Sequence, residues 1–136
     1  MSNVEQTLSI IKPDAVERNL TEKIKSIFIE NKFLIKNSKK IHITKEEAAE
    51  FYKVHQSKPF YDGLCSYLSS GPIVVMILEG ENAVSSNRKL MGATDPKNAE
   101  SNTIRKLYGI SIDKNSVHGS DSVENAKKEI DFFFKN

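Results

Sequence analysis

Apolar residues in this chain recur with two periods, and the places where the period changes mark out its elements. Residues 7–11, TLSII, read as a strand stopped by Pro13. Leu20, Ile24, Ile27 and Phe28 fall at i, i+4, i+7 and i+8, the apolar stripe of an amphipathic helix. Residues 33–43 return to β-branched alternation, clearest in Ile41-His42-Ile43, and predict a second strand. Thr44 with Glu47 forms a capping-box pattern that opens a helix carrying Ala48, Phe51, Tyr52 and His55 on one face. A short helix is expected over 61–68, stopped by Ser69-Ser70-Gly71-Pro72.

Residues 73–78, IVVMIL, are apolar on both faces, as a central strand covered from both sides requires. Gly80 is expected to end it, and Asn82 to cap a helix running to about Leu90. Residues 91–116 then form a long segment rich in Gly, Pro, Asn and Asp, with one helical turn expected around 103–107. A loop of that length in a small domain usually carries function. A short strand near Val117 follows, then a helix announced by Asp121 with Glu124 and bearing Val123, Ala126, Lys127 and Ile130. This order predicts an α+β fold: a ferredoxin-like βαββαβ sandwich with a four-stranded antiparallel sheet and a long loop before the last strand. That topology serves many functions, so function has to come from residues.

The chain's 136 residues make one compact domain, taken as 1–136 without repeat or linker. A net charge of +2 gives no strong electrostatic case for nucleic acid as the main partner or for an anionic membrane. The opening MSNVEQTL is no secretory signal, and the run 73–78 is too short to span a bilayer, so a cytoplasmic protein is expected. Cys65 is the only cysteine, which excludes an internal disulfide and a cysteine-built metal site. Of 20 basic residues only Arg18, Arg88 and Arg105 are arginine. Such sparing use fits side chains kept for forked bonding to phosphate, and equally fits codon bias.

Of the 3 histidines, His42 alternates with isoleucines and His55 lies on a helix's inner face, which suits structural roles. His118 sits in NSVHGSDS at 115–122, where a long loop meets a capped helix. A short strand would aim the imidazole, Gly119 would leave room for a bulky group, and the helix start would favour an anion. Ser120, Asp121 and Ser122 are equally explained as capping residues. Imidazole is a good nucleophile near neutral pH, best when a carboxylate orients its other nitrogen. Glu129 is the candidate carboxylate, with a solvent-facing glutamate beside Lys127 and Lys128 as the plain alternative. No GxxxxGK[ST] or GxGxxG occurs, so cationic side chains would have to hold any phosphates. Lys12, Arg88 and Arg105 are the dispersed candidates.

Taken together, the stretches IKPDAVER at 11–18, PFYDGLCSYLSSGPIVVMILEGENAV at 59–84, RKLMGATDP at 88–96, TIRKLYG at 103–109, NSVHGSDS and KEIDFFF at 128–134 are specific. In order and over nearly the whole chain, they resemble the nucleoside diphosphate kinases. The resemblance implies a reversible ping-pong transfer of the terminal phosphate of a nucleoside triphosphate, usually ATP, to a diphosphate through phosphorylated His118. By the same resemblance Glu129 orients His118, steadied by Ser120. Lys12, Tyr52, Arg88, Thr94, Arg105 and Asn115 match positions around the phosphates and ribose. Phe60 matches the aromatic that stacks on the base, with Leu64 and Ile112 nearby. Magnesium would arrive with the nucleotide, with Asp121 touching its hydration shell.

The family assembles mostly as hexamers, with some bacterial tetramers, so a homo-oligomer is expected with a hexamer favoured. Ending at Asn136, the chain lacks the longer tail of many eukaryotic relatives and resembles bacterial members. Ala15, Asn19 and Asn102 stand where the family commonly has glycine, and Asn102 is expected to adopt a left-handed turn. The two rival readings are a catalytically silent nucleotide-binding sensor of the same fold and a phosphohistidine relay to another protein. The presence of the nucleophile and the cations argues against the first. Phe60 and the cations would have no purpose in the second.

Overall fold

The computed structural model describes residues 4–53, 56–110 and 114–134. His55 lies outside these residues. Its four strands are β1 (Val4–Ile11), β2 (Leu34–Ile41), β3 (Ile73–Glu81) and β4 (Val117–Gly119). They form one sheet in the order β2-β3-β1-β4, and every pairing is antiparallel. This is the expected ferredoxin-like sheet, with β3 and β1 at its centre. The helices are α1 (Pro13–Glu17), α2 (Thr21–Glu30), α3 (Lys45–Phe51), α4 (Tyr61–Leu68), α5 (Ala83–Met91), α6 (Ile104–Tyr108) and α7 (Val123–Phe134). No helix among the described residues is long and apolar enough to cross a membrane.

Side chains alternate along the strands, so each face of the sheet has its own core. Ile11, Val74, Met76, Leu78 and Val117 join Ile24 and Phe28 of α2 and Met91 of α5 on one face. Leu8, Ile10, Ile73 and Val75 join Ala48 of α3, Cys65 and Leu68 of α4, and Phe133 of α7 on the other. The second face therefore meets the helices that carry the candidate carboxylate and aromatics.

Several local readings needed tertiary correction. The second strand stops at Ile41, short of the expected 43, and is interrupted by an irregularity between Ile35 and Asn37. His42 is exposed, and its Nε2 lies 2.9 Å from the Ser69 carbonyl oxygen. Gly80 does not end its strand: it pairs with Glu5, and a Cβ there would come within 3.3 Å of the Phe33 ring. Its small size admits Phe33 to the sheet's edge. Asn82 does precede α5, but from a left-handed backbone (φ 49°) and without a side-chain cap bond. Ser122, one residue after the expected Asp121, caps α7 by accepting the Asn125 amide at 3.0 Å. Thr44 and Glu47 form the full reciprocal capping box.

Two asparagines at positions where the resemblance implied glycine have left-handed backbone: Asn19 at φ 60° and Asn102 at φ 71°. Ala15 is fully buried in α1 at negative φ, where a methyl group is accommodated. Gly92, by contrast, has no substitute. It closes α5 at φ 88° and ψ −177°, a region essentially limited to glycine. A Cβ there would lie 2.5 Å from Thr103 Oγ1 and 2.7 Å from Thr103 Cβ. Gly92→Ala is expected to lower unfolding free energy by roughly 2–4 kcal/mol, read as a lower urea midpoint at unchanged slope.

Candidate active site

His118 is placed by three backbone pairings. Ser9 faces Gly119, Ile10 faces His118 and Ile11 faces Val117 across the β1–β4 ladder. Because Ile10 belongs to the core beneath α3, α4 and α7, His118 opposite it points to that side. There the Phe51 ring stands edge-on to the imidazole, with centroids 5.3 Å apart. Phe51 was read from the sequence only as an inner-face residue of α3.

The imidazole Nε2 lies 3.0 Å from Glu129 Oε1 on α7. An ionised carboxylate only accepts, so Nε2 carries the hydrogen and the lone pair is left on Nδ1. The Ser120 hydroxyl donates to the same Glu129 oxygen at 2.8 Å and accepts the Leu8 amide at 3.2 Å. The Ser120 amide in turn donates to the Leu8 carbonyl at 3.2 Å. Ser120, fully buried, thus couples the carboxylate to β1 instead of serving as a helix cap. Gly119 also has a role other than the expected one. Its missing Cβ makes room for α5, since one there would meet Asn87 Nδ2 at 2.3 Å and Met91 Cε at 2.8 Å.

A second constellation forms beside the first. Lys12, buried at the end of β1, donates from Nζ to Asn115 Oδ1 at 2.9 Å. Asn115 Nδ2 donates to the Thr94 carbonyl at 3.1 Å, so it is the Thr94 backbone that is engaged while its side chain stays exposed. Arg105 is buried and donates from Nη1 to the Gly92 carbonyl at 3.0 Å and from Nη2 to the Val117 carbonyl at 2.9 Å. Burial, and then the charge of Arg88, push its pKa down to about 10, which leaves it cationic at neutral pH. Its Nε–H is buried and has no partner among the described residues. Two positive charges close together with an unused donor are suited to an anion.

Tyr52, buried at the end of α3, has its pKa pushed up first by burial and then by the neighbouring Cys65 and Glu129, with Arg105 opposing. Its phenol therefore stays protonated between the carboxylate and the guanidinium. Arg88 is exposed on α5 and acts electrostatically on both Arg105 and Asp121. The exposed Asp121 accepts from Asn125 Nδ2 at 2.6 Å, and that bond holds its carboxyl below the usual range. Phe60 is 50% exposed at the N-terminus of α4, one turn before the half-buried Leu64. Ile112 lies outside the described residues. Arg18 is not with the other two arginines: it bonds Asp14, Tyr108 and Ser116.

Removing the Ser120 hydroxyl would orphan a buried amide and one bond to Glu129. Ser120→Ala is expected to lose about 1–3 kcal/mol of stability, seen as a lower thermal midpoint.

Comparison with known proteins agrees with this geometry. The nucleoside diphosphate kinase family model matches residues 5–136. The chain is 59% identical over 131 residues to a nucleoside diphosphate kinase of Rhizorhabdus wittichii, covering 96% of this chain and 94% of the relative. It is 58% identical over 131 residues to one from a Nitratiruptor species, covering 96% of each. Among solved structures it resembles the Aquifex aeolicus nucleoside diphosphate kinase, with a TM-score of 0.97 at 44% identity, over 98% of this chain and 97% of that one. With its fold and nearly its full length in common with these proteins, the chain belongs to the nucleoside diphosphate kinase family.

Proposed function

We propose that this single domain moves the terminal phosphate of a nucleoside triphosphate, typically ATP, to a nucleoside diphosphate through a phosphohistidine at His118. The observation that carries the reading is the chain Ser120–Glu129–His118, in which Nε2 faces the carboxylate; this supports a hydrogen on Nε2 and a lone pair on Nδ1. Nδ1 attacks the γ-phosphorus; a P–N bond forms as the bridging P–O bond to the β-phosphate breaks, and the diphosphate departs. Glu129 stabilises the positive charge gained by the ring. The second half runs in reverse, with a terminal oxygen of the acceptor diphosphate taking the phosphoryl group from Nδ1. Such transfers depend on alignment and charge neutralisation more than on acid–base chemistry.

The family resemblance, with the positions of the described residues, supports the remaining roles. Lys12, Arg105 and Arg88 are the cations for the phosphates, Tyr52 a protonated hydroxyl donor, and Asn115 and Thr94 neighbours of the sugar and phosphates. Phe60 is the stacking face for the base, with Leu64 one turn on, and the family resemblance alone adds Ile112. Exposure of Phe60 supports this, since a π-face offered to solvent can receive any base. Among the described residues no three His, Cys, Asp or Glu groups cluster as a metal cage. By the family resemblance magnesium would come with the nucleotide, supplying charge neutralisation and keeping its own water ligands. Asp121, ionised and exposed, would meet that water shell.

We further read the chain as a cytoplasmic homo-oligomer, a hexamer in preference to a tetramer. The free edge of β2 and the exposed Ile29 and Leu34 supply surface for self-association.

Incubation with ATP and magnesium is expected to add one acid-labile phosphoryl group (about 80 Da by intact mass), discharged by a second diphosphate and absent in His118→Ala. A folded protein that forms no phosphoprotein would overturn the reading in favour of a nucleotide sensor. Phe60→Ala is expected to raise KM for purine and pyrimidine triphosphates alike, by roughly 1–3 kcal/mol in binding. Steady-state kinetics with both classes checks this.

A further inference from the structure

Asp14 takes no part in the chemistry above, yet it is 6% exposed and its carboxylate joins three separate parts of the fold. One oxygen accepts from the Tyr67 phenol of α4. The other accepts from Ser116 Oγ at 3.0 Å and from the Arg18 guanidinium at 3.1 Å. Its own amide donates to the Tyr67 oxygen at 2.9 Å. Arg18 also donates to Ser116 Oγ at 3.3 Å and to the Tyr108 carbonyl at the end of α6.

The centre of this network, Ser116, is a fully buried non-glycine residue at φ 75°. A residue in that conformation persists only where its surroundings over-determine it. Here they do: Asp14 and Arg18 hold its hydroxyl, and the Lys12 amide donates to its carbonyl at 2.8 Å. On one side of the turn lies Asn115, bonded to Lys12 Nζ. On the other lies β4, which is secured independently by its ladder to β1 and by Ser120 and Glu129.

We propose that Asp14 is a positioning residue for the nucleotide: through the left-handed turn at Ser116 it holds Asn115 against Lys12, and so shapes the phosphate-binding side without setting the nucleophile. This rests on the reading that Lys12 and Asn115 hold the nucleotide and that His118 is phosphorylated.

The test compares two phosphoryl donors on Asp14→Asn and Ser116→Ala. Phosphoramidate needs no nucleotide grip; it transfers its phosphoryl group to an imidazole nitrogen as its P–N bond breaks and ammonia leaves. With ATP and magnesium, kcat/KM is expected to fall about 10- to 100-fold, while His118 phosphorylation by phosphoramidate stays within about twofold of the parent rate. In the Asp14→Asn background, Ser116→Gly should recover part of the ATP rate, because glycine adopts the turn unaided. Equal losses with both donors, or no loss with ATP, would overturn the proposal. Phosphoramidate labelling of the parent protein that survives His118→Ala would instead strike the nucleophile assignment.

Discussion

Ile10 and His118 face each other across the short ladder between β1 and β4, and that register decides which side of the sheet the imidazole meets. A slip of one residue would turn His118 toward α5, away from Phe51 and Glu129. The register is secured from both sides. Gly119 lets Asn87 and Met91 of α5 close on one face, and Ser120 continues the exchange of hydrogen bonds with Leu8. Glu129 then finds the ring from a separate helix, because α7 packs along β1 with Phe133 in the same core as Ile10.

Without a glycine-rich phosphate cradle, cationic side chains have to be held in place by other means. Arg105 shows how: a buried guanidinium hung between the carbonyls of Gly92 and Val117 is oriented before any anion arrives. Its two anchors are the residue that ends α5 and the residue preceding His118. The conformation of Gly92 and the position of β4 are therefore felt at the same cation. Lys12 is oriented similarly by Asn115, the residue just before the left-handed turn at Ser116. The buried acceptors around each of these cations offset part of the cost of its desolvation.

Much of this was legible in the chain. Apolar periodicity located the four strands and most of the helices, and the Thr44–Glu47 pair marked a helix start that the structure reproduces atom for atom. His118 and Glu129 could be singled out by chemistry, and the motifs around them pointed to the family. Other readings failed where a local rule met a distant neighbour. Gly80 looked like a strand end but makes room for Phe33, and Gly119 looked like substrate space but makes room for α5. Arg18, which the sequence left without a role, ties Asp14 to the end of α6 and to Ser116.

What the sequence determined by itself was therefore the set of elements and the chemical groups available, since periodicity and side-chain chemistry are properties of short stretches. Only the tertiary structure decided which nitrogen of His118 faces Glu129, how Ser120 is anchored to β1 and what holds Ser116 in its left-handed turn. Each of those outcomes depends on partners far apart in the chain, such as Leu8 with Ser120 and Asp14 with Ser116. Their meeting follows from strand register and the close packing of helices on each face, which no local pattern encodes.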